Sequence, residues 1–340
     1  MSESPTAPAG AASGVQIVLS GVLLAVTNEV PRVLTVDRSE LGRSDDPALP
    51  FGALDPVADR TLEIALRKWV REQSGLELGY VEQLYTFGDR DRDDRRRVEA
   101  PSTAGERGAA QRILSIAYLA LVEEREVAAT TRAEWSDCYR FLPWEDRREG
   151  RTKRLQGLLA ELEQWAAGVT AQRAARRERI EIAFGLGPGG WDTERVLERY
   201  ELLYEARLVH EGRRGAGEAG ASGDPIYTSQ AMAVDHRRIL ATALGRLRGK
   251  LKYRPLVFEL MPDEFTLLQL QRAVEALAGV RLHKQNFRRL VERGGLVEGT
   301  GRRHTQTGGR PAELFRFRRE VVRERAAPGV GLPARREVRG

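Results

Sequence analysis

Apolar positions along this chain change their spacing several times, and each change marks an element. A nearly unbroken apolar run at 15–26 and a shorter one at 33–36 predict two buried strands joined by a turn. Between 61 and 74 the period switches. Leu62, Ala65, Leu66, Trp69 and Val70 fall on one helical face, and Gly75 follows where a helix end favours a left-handed residue. Residues 80–87 return to strand character, 88–97 read as a charged loop, and ILSIAYLALV at 113–122 is the clearest buried strand. Strands and a helix alternating in this order predict an α/β or α+β domain rather than a helical bundle. Residues 151–183 are charged and helical, with Leu155, Leu158, Leu159, Leu162 and Trp165 on one face; IEIAF at 180–184 reads as strand-like. A helix at about 193–208 follows Asp192 as N-cap, 212–224 is a Gly/Ala/Ser linker, and a further helix occupies 236–252.

The C-terminal pattern is more specific. Thr266 and Gln269 are spaced as a capping box, opening a helix with Leu267, Leu270, Ala273, Val274 and Leu277 on its apolar side and Gly279 at its end. A short bridge leads to a second helix at 283–293. There Leu282, Phe287, Leu290 and Val291 can face a core, while Lys284, Gln285, Arg288 and Arg289 project oppositely, flanked by Asn286. Arg and Lys suit guanine edges, Asn and Gln suit adenine, and a helix of about 10–12 Å diameter fits the major groove. Two strands, 296–298 and 314–317, bracket the basic loop GTGRRHTQTGGRP, which places Arg302, Arg303, His304 and Arg310 for phosphate or minor-groove contact. Helix, turn, basic helix and basic hairpin form a winged helix-turn-helix pattern.

Charge agrees with this division. The net charge is +6, yet residues 281–340 hold sixteen Lys/Arg against six Asp/Glu, so the remainder is net acidic. A basic module on an acidic body points to a polyanionic partner at one end. One cysteine, Cys138, excludes an internal disulfide framework and fits a reducing cytoplasm; four scattered histidines offer no zinc-ligand spacing, so no metal site is expected. The run at 15–26 has no Lys or Arg before it and is too short to span a bilayer, which needs about 20 residues. GLGPGG at 185–190 formally fits a dinucleotide fingerprint but lacks a surrounding βαβ unit and reads as a Gly-rich joint.

Residues 60–76 resemble a Nudix box, in which helix-borne glutamates hold a divalent metal on a nucleoside diphosphate. Aligned on Gly75-Leu76, the arginine position carries Lys68, the first glutamate position Trp69, and the glutamate pair Glu72-Gln73; the earlier glutamate position falls on Arg60 and the first glycine on Leu54. One carboxylate beside two cations does not make a metal cage, so no catalytic residue is assigned. VEQLYTFGDRDRD at 81–93, ILSIAYLALV at 113–122, DHRRILATALGRLRGKLKYRPLVFELMPDEFTLLQLQ at 235–271 and LHKQNFRRLVERGGLV at 282–297 resemble the Nudix-related transcriptional regulators of NAD metabolism, the NrtR family. WDTERVLERYELLYEARLV at 191–209 resembles its diverged NadQ branch.

The resemblance implies a homodimeric repressor of NAD biosynthesis or salvage genes, binding a near-palindromic duplex operator and responding to ADP-ribose, NAD or ATP with no required cofactor. The expected architecture is α+β: a disordered 1–13, a Nudix-like mixed-sheet sensor at 14–252 with a helical insertion at about 135–210, a winged helix-turn-helix at 253–325, and a basic tail at 326–340. Candidate effector contacts are Glu72, Tyr85, Asp89, Asp91 and Arg92, with Tyr85 suited to stack on a base and Arg92 to meet phosphate. Two other readings compete: a working Nudix hydrolase of ADP-ribose or a similar dinucleotide, and an RNA-binding adaptor.

Overall fold

The long apolar run at the start of the chain becomes the centre of a mixed sheet. The computed structural model describes residues 15–37, 46–89, 112–124, 127, 133–215, 229–304 and 311–330. The expected disordered N-terminus, Asp91, Arg92, Arg310, most of the 212–224 linker and the tail beyond 330 lie outside them.

Strand β1 (Val15–Thr27) runs parallel to β5 (Arg112–Leu121) and antiparallel to β2 (Val30–Val36) and to the short β3 (Phe51–Ala53). Strand β4 (Val81–Phe87) pairs with β5, and β6 (Ala133–Asp137) with β2, giving the order β4-β5-β1-β2-β6 with β3 beside β1. Asn28 and Glu29 turn the β1–β2 hairpin with φ of 50° and 63°, the left-handed pair that a two-residue hairpin turn requires.

Alternation along the strands divides the core. Leu19, Leu23, Leu34, Tyr118 and Ala120 pack against Ala65, Leu66 and Val70 of helix α1 (Leu62–Ser74). Val22, Leu24, Val33, Ala117, Leu119 and Leu121 point the other way. That second face meets α2 (Cys138–Phe141) and α7 (His236–Leu251), and between these in chain order come α3 (Lys153–Ala167), α4 (Arg173–Phe184), α5 (Val196–Glu205) and α6 (His210–Gly215).

The C-terminal part comprises α8 (Leu267–Ala278), α9 (Lys284–Arg293), β7 (Val297–His304), β8 (Ala312–Phe317) and α10 (Val321–Glu324). It is not a separate bead. One hydrophobic cluster runs from Val22 and Leu119 of the sheet through Leu158, Tyr200 and Leu244 to Val274, Phe287 and Val321. The chain is thus an α+β protein, a Nudix-like mixed sheet with helices followed by a winged helix domain.

Several elements differ from the sequence expectation. IEIAF at 180–184 closes helix α4, and Gly168 follows the end of α3, so the single helix expected at 151–183 is two. Asp192 does not cap α5: its carboxylate accepts from the Glu194 amide at 2.9 Å, and the helix begins at Val196. The strand expected at 296–298 extends as β7 through Arg302, Arg303 and His304, which therefore lie on a strand rather than in a loop. The first residues of the expected tail are docked, since the Val330 amide donates to the Leu251 carbonyl at 3.0 Å and Val330 is buried. Strands β3 and β6 have no counterpart in the sequence reading.

Candidate nucleic-acid interface

Helix α8 starts with the full capping box: Thr266 accepts from the Gln269 amide, and the Gln269 side chain accepts from the Thr266 amide. Gly279 ends it in the left-handed region, φ 68°. The turn to α9 is then held from within. The buried Glu275 carboxylate accepts from the Leu282 amide and from Arg281, both at 2.9 Å, and Gln271 donates to the Leu282 carbonyl at 3.1 Å. Burial alone would raise the Glu275 carboxyl, but the bonds from Leu282, Arg281 and Gln271 outweigh it and hold it below its ordinary range.

A carboxyl with a depressed folded-state pKa stabilises above its unfolded value, and that contribution is lost as pH falls through the folded one. Hydrogen exchange of the 279–283 amides, corrected for intrinsic rates, should therefore accelerate on acidification below about pH 4.3. Glu275→Gln should remove most of that acid dependence.

On α9, Phe287 and Val291 are buried, while Lys284, Gln285, Arg288 and Arg289 are exposed and Asn286 is half-buried. Asn286 accepts from Arg289 at 3.3 Å. Leu290, expected at the core, is 36% exposed, because the buried stripe is as narrow as Phe287 and Val291 alone. Beside the helix, β7 and β8 form the wing. Phe265 and Phe315 exchange backbone bonds of 2.9 and 2.8 Å, and the rings of Phe258 and Phe317 stack at 4.3 Å, fixing the hairpin base. Arg302 and Arg303 are exposed and His304 half-buried; Arg302 pairs with Glu264 at 2.8 Å while staying 72% exposed. The helix cations and the wing arginines thus stand on one small module, in the arrangement that places a helix in a groove and a hairpin on the flanking backbone.

The box-like helix α1 is bound to β3 along its Trp69–Gln73 side. Gln73 bonds both the amide and the carbonyl of Phe51, at 3.1 and 2.6 Å, and the Trp69 indole donates to the Ala53 carbonyl at 3.0 Å. A Cβ on Gly52 would collide with the Trp69 ring. Lys68 pairs with Asp59 at 2.7 Å, and that bond holds the Asp59 carboxyl below its ordinary range. Glu72 is exposed on α1, Tyr85 is 61% exposed on edge strand β4 with its ring edge-on to Phe87, and Asp89 is exposed just beyond that strand. None of these three lines the open cavity of about 830 Å³ that faces Tyr139, Asp146, Arg154 and His210 in the helical insertion. Among the described residues no group of three or more His, Cys, Asp or Glu is placed to hold a metal ion, and no helix is long and apolar enough to cross a membrane.

Sequence reasoning missed a buried ionic centre. Glu145, fully buried, receives Arg199 at 2.6 and 2.9 Å and Arg248 at 2.5 Å, and both arginines are fully buried too. Burial would raise the Glu145 carboxyl; the two guanidiniums hold it below the ordinary range. Trp191 caps this centre, with the Arg199 guanidinium 3.8 Å above its ring.

The NrtR DNA-binding winged helix domain family matches residues 257–317. The ADPR-responsive transcriptional repressor NtrR of Acinetobacter baylyi is 42% identical over 134 residues, 38% of this chain and 50% of that protein. The match therefore spans about half the length of that relative. Two structures of Shewanella oneidensis NrtR, one with a 27mer DNA and one without, each cover 90% of this chain and 95% of their own, at 20% and 19% identity and TM-scores of 0.52 and 0.51. On these matches residues 257–317 are similar to the NrtR DNA-binding winged helix domain, and the chain as a whole shares the fold of the Shewanella oneidensis NrtR.

Proposed function

We propose that this chain is a cytoplasmic DNA-binding transcriptional repressor of NAD biosynthesis or salvage genes, acting as a homodimer whose Nudix-like domain binds ADP-ribose without cleaving it. The observation that carries this reading is the exposed face of α9 (Lys284, Gln285, Arg288 and Arg289) beside the arginines of the wing. The A. baylyi relative, an ADPR-responsive repressor by name, supports both the regulatory role and the effector. The bonding of α1 supports the lack of turnover. At the positions where a Nudix box puts carboxylates, Trp69 and Gln73 hold β3, and Glu72 alone keeps its acid.

The test is binding by the full chain to duplexes selected from a random library, with ADP-ribose, NAD or ATP added. Tight, salt-dependent binding to a near-palindrome, shifted by ADP-ribose, is the expected result. Binding to RNA in preference to any duplex would overturn it. Robust release of AMP from ADP-ribose with Mg²⁺ would instead favour a hydrolase. Arg288→Ala or Arg289→Ala should each cost about 1–3 kcal/mol of affinity for the selected duplex and relax its sequence at one base pair. Arg302→Ala should weaken all duplexes alike and flatten the salt dependence.

A further inference from the structure

The turn of the helix-turn-helix is gripped from outside the winged helix by the start of the helical insertion and by α7. The Tyr139 hydroxyl donates to the Ala276 carbonyl at 2.6 Å, and Arg248 donates to the Leu277 carbonyl at 2.9 Å. The Arg147 amide donates to the Gly279 carbonyl at 2.7 Å. These carbonyls end helix α8, where a helix leaves its acceptors unmatched and its dipole is negative. The fit is close: a Cβ on Gly279 would strike the Glu145 carbonyl and crowd the Arg248 guanidinium and the Tyr139 hydroxyl. Arg248 is in turn fixed by Glu145, which also holds Arg199, and Arg199 donates to the carbonyls of Ala183 and Asp192 at 2.8 and 2.9 Å. One buried carboxylate thus ties the ends of α4, α5 and α7 to the end of α8. Burial pushes the Tyr139 phenol well up, so its hydroxyl remains a donor.

The geometry points to the Tyr139–Glu145–Arg248 socket as a positioning device that sets where the recognition helix α9 stands on the body of the protein. This rests on the DNA-binding reading above. Glu275 and Gln271 tie the turn to α8 internally, so their bonds would travel with the winged helix wherever it went. The socket refers α8, and through it α9, to the remainder of the chain by buried bonds, beside the more exposed Arg272–Glu29 pair. Packing alone would leave a sliding freedom that directed bonds to buried carbonyls remove.

The test uses the full chain with Tyr139→Phe, which keeps the ring and removes the bond to Ala276, and with Glu145→Gln. Amide exchange of the 276–283 segment is read by mass spectrometry, together with affinity for the selected duplex and for a random duplex of equal length. Tyr139→Phe should speed exchange in that segment at least tenfold while β1 and β5 exchange as in wild type. Affinity for the selected duplex should fall at least fivefold, with the random duplex within twofold, because the phosphate-contacting side chains are intact. Unchanged exchange, or an equal loss on both duplexes, overturns the proposal. If Glu145→Gln does not fold, Tyr139→Phe decides alone. If wild type binds no duplex, the DNA reading fails while the exchange measurement still decides the socket.

Discussion

Glu145→Ala should destabilise the folded chain by about 3–5 kcal/mol, read as a drop in the midpoint of denaturant unfolding. The alanine would leave Arg199 and Arg248, both fully buried, with no countercharge in a region water does not reach. Removing one partner of a buried pair costs far more than the pair contributes net, because the remaining charge keeps its desolvation penalty without the attraction that offset it. An exposed pair provides the control. Arg177→Ala, which releases Glu163 at the surface, should change stability by less than about 1 kcal/mol. If the two variants unfold at the same denaturant concentration, the buried centre does not hold the structure.

Phe287→Ala should cost about 3–5 kcal/mol as well, since it empties a fully buried aromatic site on the inner side of α9. The form of the transition is as informative as its position. Phe287 belongs to the same apolar cluster as Val22 and Leu119 of the sheet, so the variant should unfold in one earlier transition seen alike by tryptophan fluorescence and far-ultraviolet dichroism. Two separated transitions would mean that the winged helix melts by itself and that the shared core does not couple it to the sheet. DNA binding should weaken in step with the fraction unfolded and recover in the cold, unlike Arg288→Ala, where folding is untouched.

The α8–α9 pair is legible in the sequence because its signals are local. A capping box four residues wide, glycine at the helix end and cations on the face opposite Phe287 and Val291 all lie within one stretch of chain. The two central strands of the sheet are legible for the same reason, as nearly continuous apolar runs. What escapes is nonlocal. Glu145 meets Arg199 across 54 residues and Arg248 across 103, and nothing in the spacing of a lone glutamate announces such partners. Strands β3 and β6 are short and held by pairing with β1 and β2, so they leave little periodicity to read. Leu290 shows the opposite error, an apolar residue at helical spacing from Phe287 that the fold leaves at the surface. Trp69 and Gln73 lie between these cases. The sequence shows that they are not carboxylates, and only the fold shows that they bond to β3.

Under the proposed function, the apolar continuity from the sheet to α9 bears on how an effector at the sensor would act on DNA. Closely packed interiors transmit displacement instead of absorbing it, and among the described residues Val22 and Phe287 belong to one continuous apolar cluster. Rotation of one whole copy against another breaks none of that packing, and rigid-body rotation about an interface is an established way for proteins to switch. In the proposed homodimer, effector binding would then register as a change in the distance between two rigid heads, measurable by spin labels on α9, with each copy's internal geometry preserved.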